Sequence, residues 1–384
     1  MMTHSVLRLF LCLGLVFAPD AGATQNTEAL AESGLRAILE VAPGNDPARE
    51  SLTRLLLKTG RLDAAAYHAQ HLAQNARNPS LRRDAETLRF RLEGPAWGWQ
   101  PIFALSPSSN LNKGSTSETI LIGDTPFTID ADSRAQGGVG LTFGLSGWRS
   151  WRLDEAWRAR LSGEASAMVY DGGDLDPQQS LRANYALDRR LGDLQLSLGV
   201  TVDGLAKRGK LERRRIGPSV GLAWRLDDRR QANVLFEARS VDYLTDTYRS
   251  GPTTSLSFGW RQAISPDLSF RLGVPFRTVR THREHLDYDS FGISASIEKL
   301  WNDGGIHTSF GVRVAEDRYV GPFPGTGTRR EDQIASLSLE VSNGNWQPHG
   351  FVPVMRYEFT RSKSNVSLYD YDSNDLQITF RKAF

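Results

Sequence analysis

Arginine and glutamate recur at alternate positions along many short segments of this chain. Ten of these residues are candidates for lining a wet interior: Arg158, Arg160, Arg225, Arg261, Arg271, Arg277, Arg356, Glu237, Glu298 and Glu358. On neighbouring strands, guanidinium and carboxylate groups could form ion pairs that fill such an interior. The same groups could instead line a path that selects a polypeptide or a solute by its charge. The sequence leaves both alternatives open.

Other patterns that could carry chemistry are weak. His282, His285 and Asp287 have possible metal-ligand spacing within one loop, but no second group of ligands accompanies them. His68 and His71 lie three residues apart in a helical region, which is typical of a solvated helix face. No nucleophile, acid or base forms a recognisable cluster, so we expect neither an enzyme nor a bound metal or cofactor.

The elements that must position the charged residues are strands. From Trp97 onward, apolar and polar residues alternate with a period of two, as in Leu194 to Val200 and Leu268 to Phe276. Such segments predict a mainly β fold, a 14-stranded antiparallel transmembrane β-barrel of the outer-membrane type spanning residues 96–384. Six predicted connections are short and seven are longer, and Leu205–Arg214 is among the longer ones.

The last strand has the pattern of a signal for barrel assembly. Leu376, Ile378, Phe380 and Phe384 share one apolar face, while polar residues occupy the other face. A loose terminus of a soluble domain gains little from such a pattern, so we expect this strand to face lipid and to be recognised by the barrel-assembly machinery.

Tryptophans and tyrosines are distributed differently between the short and the long predicted connections. All nine tryptophans fall at the start of the barrel or beside a predicted short turn. Seven tyrosines lie in or next to predicted long loops: Tyr170, Tyr243, Tyr248, Tyr288, Tyr319, Tyr369 and Tyr371. Because amphipathic rings favour the membrane–water interface, this sorting predicts two aromatic girdles, one at each end of the barrel.

Residues 1–95 are organised differently. Arg8, the apolar run Leu9–Ala18 and the cleavage signal Ala21-Gly22-Ala23 predict a signal peptide over residues 1–23. Residues 24–95 are helical in pattern, and Pro43 and Pro79 are spaced close to the period of tetratricopeptide (TPR) repeats. We expect a small TPR-like periplasmic domain in which Leu55, Leu56, Leu62 and Tyr67 dock a client protein.

Composition narrows the class of protein. The formal net charge of +2 gives no basic field for nucleic acid, and the mean hydropathy of −0.39 does not suit a helical membrane protein. A β-barrel is compatible with this value because alternating strands are polar on average. The single cysteine, Cys12, lies in the predicted signal peptide, so no disulfide is expected.

Several segments resemble the surface lipoprotein assembly modifier (Slam) family. They are Pro101-Ile102-Phe103, Ser109 to Asn112, Gly137 to Gly140, and the C-terminal stretch from Ser364 to Phe384 with its Tyr-Asp-Tyr-Asp sequence. The order of signal peptide, TPR-like segment and barrel is also similar to that family.

The resemblance implies an outer-membrane translocon of type XI secretion. Such a protein moves client lipoproteins or secreted soluble proteins from the periplasm to the cell surface of a Gram-negative bacterium. Its partners would be the client, the barrel-assembly machinery and outer-membrane lipid. A passive porin-like solute channel and a polysaccharide-export pore remain alternatives at this stage.

Overall fold

The structure of the chain is a computed structural model that describes residues 21–92, 97–122, 125–153, 157–172, 174–191, 193–227, 229–301 and 305–382. Phe384 and most of the predicted signal peptide lie outside these residues, so cleavage after Ala23 stays a prediction.

Four helices precede the strands: α1 (Ala21–Val41), α2 (Asp46–Lys58), α3 (Leu62–Asn75) and α4 (Pro79–Leu92). The Asn45 side chain caps α2 by accepting a hydrogen bond from the Ala48 amide at 3.1 Å. Leu39, Leu52 and Leu56 form the buried centre of this helical segment (residues 21–92). None of the four described helices is long and apolar enough to cross a membrane.

In the described part of the chain, sixteen strands follow the helices. Their bounds are β1 (Trp97–Ser108), β2 (Thr119–Ile122), β3 (Thr125–Thr128), β4 (Gly138–Arg152), β5 (Trp157–Asp171), β6 (Gln178–Leu191), β7 (Leu194–Lys207), β8 (Lys210–Arg225), β9 (Arg230–Tyr243), β10 (Gly251–Ser265), β11 (Leu268–Val279), β12 (Tyr288–Trp301), β13 (Ile306–Pro322), β14 (Arg329–Asn343), β15 (Phe351–Ser364) and β16 (Tyr371–Lys382). Strands β2 and β3 form a separate hairpin within the first long loop. The other strands form a closed antiparallel barrel in chain order, which confirms the predicted 14-stranded barrel.

The strand register separates the barrel wall into two faces. Ile297, Phe310, Leu339, Tyr357 and Leu376 lie in one apolar row across five strands. The neighbouring row is polar, with Glu298, Ser309, Glu340, Arg356 and Gln377 side by side. Large apolar side chains are exposed on the outer face, as expected where lipid is the solvent. The polar face is called the inner wall below.

The connections alternate between a short-turn end and a long-loop end, with one departure. Leu205–Arg214 was predicted as a long loop, and that prediction is wrong. Strands β7 and β8 continue to Lys207 and Lys210, and Arg208 and Gly209 alone form the turn. Both residues have positive φ, +49° and +74°, which suits a tight two-residue hairpin with glycine in the second position.

The structure agrees with the predicted aromatic girdle at the short-turn end but places several tyrosines of the other girdle inside the barrel. Trp97, Trp99 and Trp301 are exposed near the short-turn end, where lipid and water would meet. Tyr288 and Tyr319 instead face each other on the inner wall, with ring centroids 5.1 Å apart. Several tyrosines at the long-loop end therefore line the interior, because the alternation of faces, and not the distance to a loop, decides where a ring points.

The closing pair β1–β16 is bonded at Ala104 with Thr379, Leu105 with Ile378 and Ser108 with Asp375. Asn110, in the loop that follows β1, is fully buried and connects this loop to β16. Its amide nitrogen donates to the Gly114 carbonyl at 2.9 Å and to the Asp372 carbonyl at 3.1 Å. Its oxygen accepts from the Gly114 amide at 2.9 Å, so the loop reinforces the closure at the long-loop end.

We expect Asn110→Ala to destabilise the folded barrel. The change leaves buried backbone groups of the loop without partners, at a cost of about 1–3 kcal/mol. The measurement is the temperature at which the compact band in unheated electrophoresis converts to the unfolded band. Asn345→Ala, in the exposed β14–β15 connection, is the control, and equal transition temperatures for the two variants would contradict this role of Asn110.

Candidate functional site

The ten charged residues singled out in the sequence all fall on the inner wall. The strand register places each of them beside the polar residues of its neighbours, as with Arg261 beside Arg271 and Glu298 beside Ser269. A central cavity of about 710 Å³ lies along this wall, and Arg261, Arg271, Arg356 and Glu358 contribute to its lining.

Charges around the central cavity are largely paired. The Glu298 carboxylate lies 2.9 Å from Arg271 and 3.9 Å from Arg261. Arg356 pairs with Glu358 at 2.8 Å. Because each carboxylate is held by a neighbouring guanidinium, these groups stabilise a wet interior without requiring a ligand.

The remaining candidates lie nearer the two ends. Glu237 and Arg277 belong to a second cavity at the long-loop end. Arg225 pairs with Asp193 in the short turn after β6. Arg158 pairs with Glu86 of α4 at 3.0 Å, so it joins the barrel to the helical segment. Arg160 lies in the same strand as Arg158 and is exposed.

The helical segment is attached to the short-turn end of the barrel through a buried charge network. Arg36 of α1 forms an ion pair with Asp267, in the turn between β10 and β11, and both side chains are less than 10% exposed. Arg36 and Arg61 also bind Glu32. Burial alone would raise the pKa of Glu32, but the hydrogen bonds from Arg61 and Arg36 outweigh burial and hold this pKa below its usual value.

Helix α3 faces the barrel interior. Tyr67, Gln70, His71 and Asn75 border a narrow space of about 60 Å³ whose other side includes Arg261. Burial raises the pKa of the Tyr67 hydroxyl, and the charges of Arg261, Asp267 and Glu298 act on it. The ring of Tyr67 therefore lies where the central cavity meets the short-turn end.

Two further contacts join the helical segment to the barrel. Leu300, near the end of β12, packs against the buried cluster of Leu39, Leu52 and Leu56. The Arg229 guanidinium donates a hydrogen bond to the Glu40 carbonyl at 3.3 Å. Apolar packing, buried charge and backbone contacts thus all join the helices to this end of the barrel.

This geometry corrects part of the predicted client-docking surface. Leu56 is fully buried inside the helical segment, where it packs on Leu52, so it cannot contact a client while the helices are folded. Tyr67 faces the barrel interior. Leu55 and Leu62 are half-buried, and their predicted role in docking is untested.

His68 is not on a solvated face, contrary to the sequence prediction. It is fully buried, and its Nδ1 atom lies 3.1 Å from the Arg49 guanidinium. Burial, together with the charge of Arg49, lowers the pKa of the His68 imidazole well below its usual value. The neutral imidazole can accept a hydrogen bond from Arg49 and so stabilises the α2–α3 pair.

Three residues of the proposed assembly signal lie on the outer face of β16. Leu376 pairs with Tyr357, Ile378 with Met355 and Phe380 with Pro353. The Phe380 ring also lies 5.9 Å from that of Phe103 across the closing pair. Phe384 falls outside the described residues.

The loop that carries His282 and His285 is held together by hydrogen bonds to Asp287. Asp287, beside His282 and His285, accepts hydrogen bonds from the Thr281 amide at 2.6 Å and from the Thr281 hydroxyl at 2.8 Å. Across the part of the chain that the structure describes, no three His, Cys, Asp or Glu residues are placed to hold a metal ion.

Sequence reasoning missed the attachment network. Glu32 and Arg36 are an i,i+4 pair, which is a recognisable helix signal. The barrel partner of Arg36, Asp267, lies 231 residues away in the chain, and no local pattern connects Arg36 with Asp267. The short distance between them follows only from the folded arrangement.

A family model described as "Surface lipoprotein assembly modifier" matches residues 97–384. No curated protein matches the chain.

Solved barrel structures resemble the chain only distantly. A bacterial polysaccharide outer membrane secretin is 11% identical over 73% of this chain and 98% of its own, with a TM-score of 0.37. A Pseudomonas aeruginosa FadL homologue is 10% identical over 75% and 90%, with a TM-score of 0.40. The Pseudomonas putida toluene transporter TodX is 9% identical over 74% and 89%, with a TM-score of 0.38. Likenesses this low carry no argument about function.

We expect Arg36→Ala to loosen the helical segment. Removing one member of a buried ion pair leaves Asp267 uncompensated, at a cost of about 3–5 kcal/mol. Limited proteolysis of the folded protein measures the effect as faster cleavage within residues 21–92.

Arg54→Ala is the matched control, because Arg54 pairs with Glu50 on the exposed face of α2. An exposed pair of this kind contributes less than about 1 kcal/mol. Cleavage at the same rate in both variants would show that Arg36 does not hold the helices in place.

Proposed function

Because this chain belongs to the surface lipoprotein assembly modifier family, we propose that it is an outer-membrane translocon. Its task is to move client proteins, lipidated or soluble, from the periplasm through the barrel to the cell surface. The barrel is the path, and the helical segment controls access to it.

One observation carries this proposal beyond the family match. A polar inner wall runs through the barrel, and its short-turn end is covered by a folded helical segment held through Arg36, Glu40 and Glu86. A segment attached by a few polar contacts and one apolar patch can be displaced by a partner that competes for the same surface. A passive solute channel has no need for such a removable cover.

The proposal includes an orientation. Residues 1–23 direct export, the helices lie in the periplasm, and the long loops face the outside. In outer-membrane barrels, short turns are periplasmic and long loops are extracellular, which supports this assignment. The apolar row of Leu376, Ile378 and Phe380, with Phe384, serves as the signal for the barrel-assembly machinery.

The free energy that drives the transfer must come from the client and its partners. Folding of the client outside the cell would prevent its return, and affinity for the half-buried Leu55 and Leu62 could bring it to the helical segment. Displacing the helices then exposes Arg261 and Glu298 of the inner wall to the client.

The test locks the helices on the barrel. Glu40→Cys and Arg229→Cys place thiols on two exposed residues in contact, and the only native cysteine, Cys12, lies in the predicted signal peptide. A reducible bis-maleimide then links the two sites. We expect protease shaving to show that a client lipoprotein loses surface exposure when the link is present and regains it after reduction.

The control places the same link within α2, between Glu50→Cys and Arg54→Cys, where it joins one turn of helix to the next. This variant should expose the client normally. Surface exposure that is unaffected by the helix–barrel link, or by deletion of the whole protein, would contradict the translocon proposal and favour a passive channel.

A further inference from the structure

A second cavity, of about 560 Å³, lies on the inner wall at the long-loop end of the barrel. Its lining contains seven arginines and five tyrosines, against Glu237 as the one carboxylate among the described residues. The described lining of the central cavity contains four arginines and no tyrosine, so the two cavities differ in the number of guanidinium groups and of phenol rings.

Not all of these arginines are neutralised by neighbouring carboxylates. Arg215 pairs with Asp203 at 2.8 Å, Arg239 with Glu237 at 2.7 Å, and Arg280 with Asp289 at 2.8 Å. In contrast, neither Arg213 nor Arg277 has a carboxylate within ion-pair distance in the described part of the chain. The Nε atom of Arg213 is buried and has no hydrogen-bond partner there. Arg277 hydrogen-bonds the Tyr288 side chain, and Asp317 is a more distant charged neighbour on the same wall.

Two more of these arginines contact tyrosine rings and are also ion-paired. Arg330 lies 4.4 Å from the centroid of the Tyr319 ring and 3.1 Å from that of Tyr369, and its Nε atom donates to both carboxylate oxygens of Asp332 at 2.9 Å. Arg249 lies 4.9 Å from the centroid of Tyr243 and 3.8 Å from the Asp246 carboxylate. The unpaired Arg213 lies 5.9 Å from the same Tyr243 centroid, and a cation–π contact of this kind leaves guanidinium N–H groups available to an acceptor.

The position of these groups decides what kind of ligand can reach them. Arg213 and Arg277 lie on the inner wall, on the same face as Glu237 and Ser255. Headgroup phosphates of membrane lipid would instead meet the outer face, where Arg214 and Arg318 are 64% and 68% exposed. A ligand for the inner arginines must arrive through the barrel or through its long-loop opening.

We propose that this long-loop cavity binds a carboxylate-rich segment of the client polypeptide as it leaves the barrel. The inference rests on the proposed function, which supplies the polypeptide. Carboxylates match the bidentate geometry of guanidinium, and the tyrosine rings can cover the apolar parts of the same segment. The guanidinium groups of Arg213 and Arg277, which have no ion pair, attract an acidic segment at this end of the barrel and so oppose its return.

Fluorescence anisotropy on the full chain in detergent tests this with labelled hexaglutamate, and with hexalysine as the comparison peptide. We expect hexaglutamate to bind and the binding to weaken with added salt. Arg213→Gln combined with Arg277→Gln should weaken binding roughly tenfold or more, because both changes remove charge-assisted donors. Arg213→Lys with Arg277→Lys retains the charge and should bind within a few-fold of the original.

The matched control is Arg214→Gln with Arg318→Gln, which removes the same charge from the outer face at the same end of the barrel. Hexaglutamate should bind this variant as it binds the original. Equal losses for the inner and outer variants, or binding no tighter than that of hexalysine, would overturn the proposal. The proposal would also be overturned if hexaglutamate did not bind and purified lipopolysaccharide bound in a way that required Arg213 and Arg277.

Binding is measured without a client, so the two proposals can fail separately. If hexaglutamate does not bind but the helix–barrel link still blocks surface exposure of the client, only the cavity proposal is contradicted. If hexaglutamate binds tightly but the link has no effect on surface exposure of the client, the translocon proposal is contradicted. The ligand could then no longer be assigned to a client.

Discussion

Closure of the backbone hydrogen-bond ladder between β1 and β16 is the constraint on which the rest of this structure depends. In hydrocarbon an unpaired peptide group has no water to bond, so a membrane-spanning sheet must have no free edge. The closing pair is bonded at Ala104, Leu105 and Ser108, and the buried Asn110 reinforces it from the adjoining loop. Once the ladder closes, alternate residues must face either lipid or an enclosed polar interior.

The enclosed interior then determines how charge is arranged. Near the centre, Glu298 compensates Arg271, and these groups need no further partner. At the short-turn end, Arg36 reaches Asp267 and joins the helical segment to the wall. At the long-loop end, Arg213 retains a buried donor atom without a partner. The same residue type thus stabilises the wall, holds the helical segment and, in our proposal, binds an acidic ligand, according to what lies beside it.

The sequence could predict the barrel because period-two alternation is a local property of each strand. It could not predict that Leu205–Arg214 holds a two-residue turn, since polar residues there resemble a loop and only the positive φ of Arg208 and Gly209 closes the hairpin. It also could not predict that Tyr288 and Tyr319 lie on the inner wall, because the face of each ring depends on the strand register. The burial of Leu56 and the pairing of Arg36 with Asp267 arise from packing between distant segments, which no local pattern encodes.

The central claim is that the helical segment rests on the short-turn end of the barrel and is displaced when a client engages. Nitroxide labels at Arg54→Cys on α2 and Asn345→Cys on the β14–β15 connection sit on exposed residues outside the attachment contacts. Pulsed electron–electron double resonance then measures the distance between the two labels. The account predicts one narrow distance distribution in the protein alone and a longer, broader one when the client is bound. An unchanged distribution while the client reaches the cell surface would contradict it.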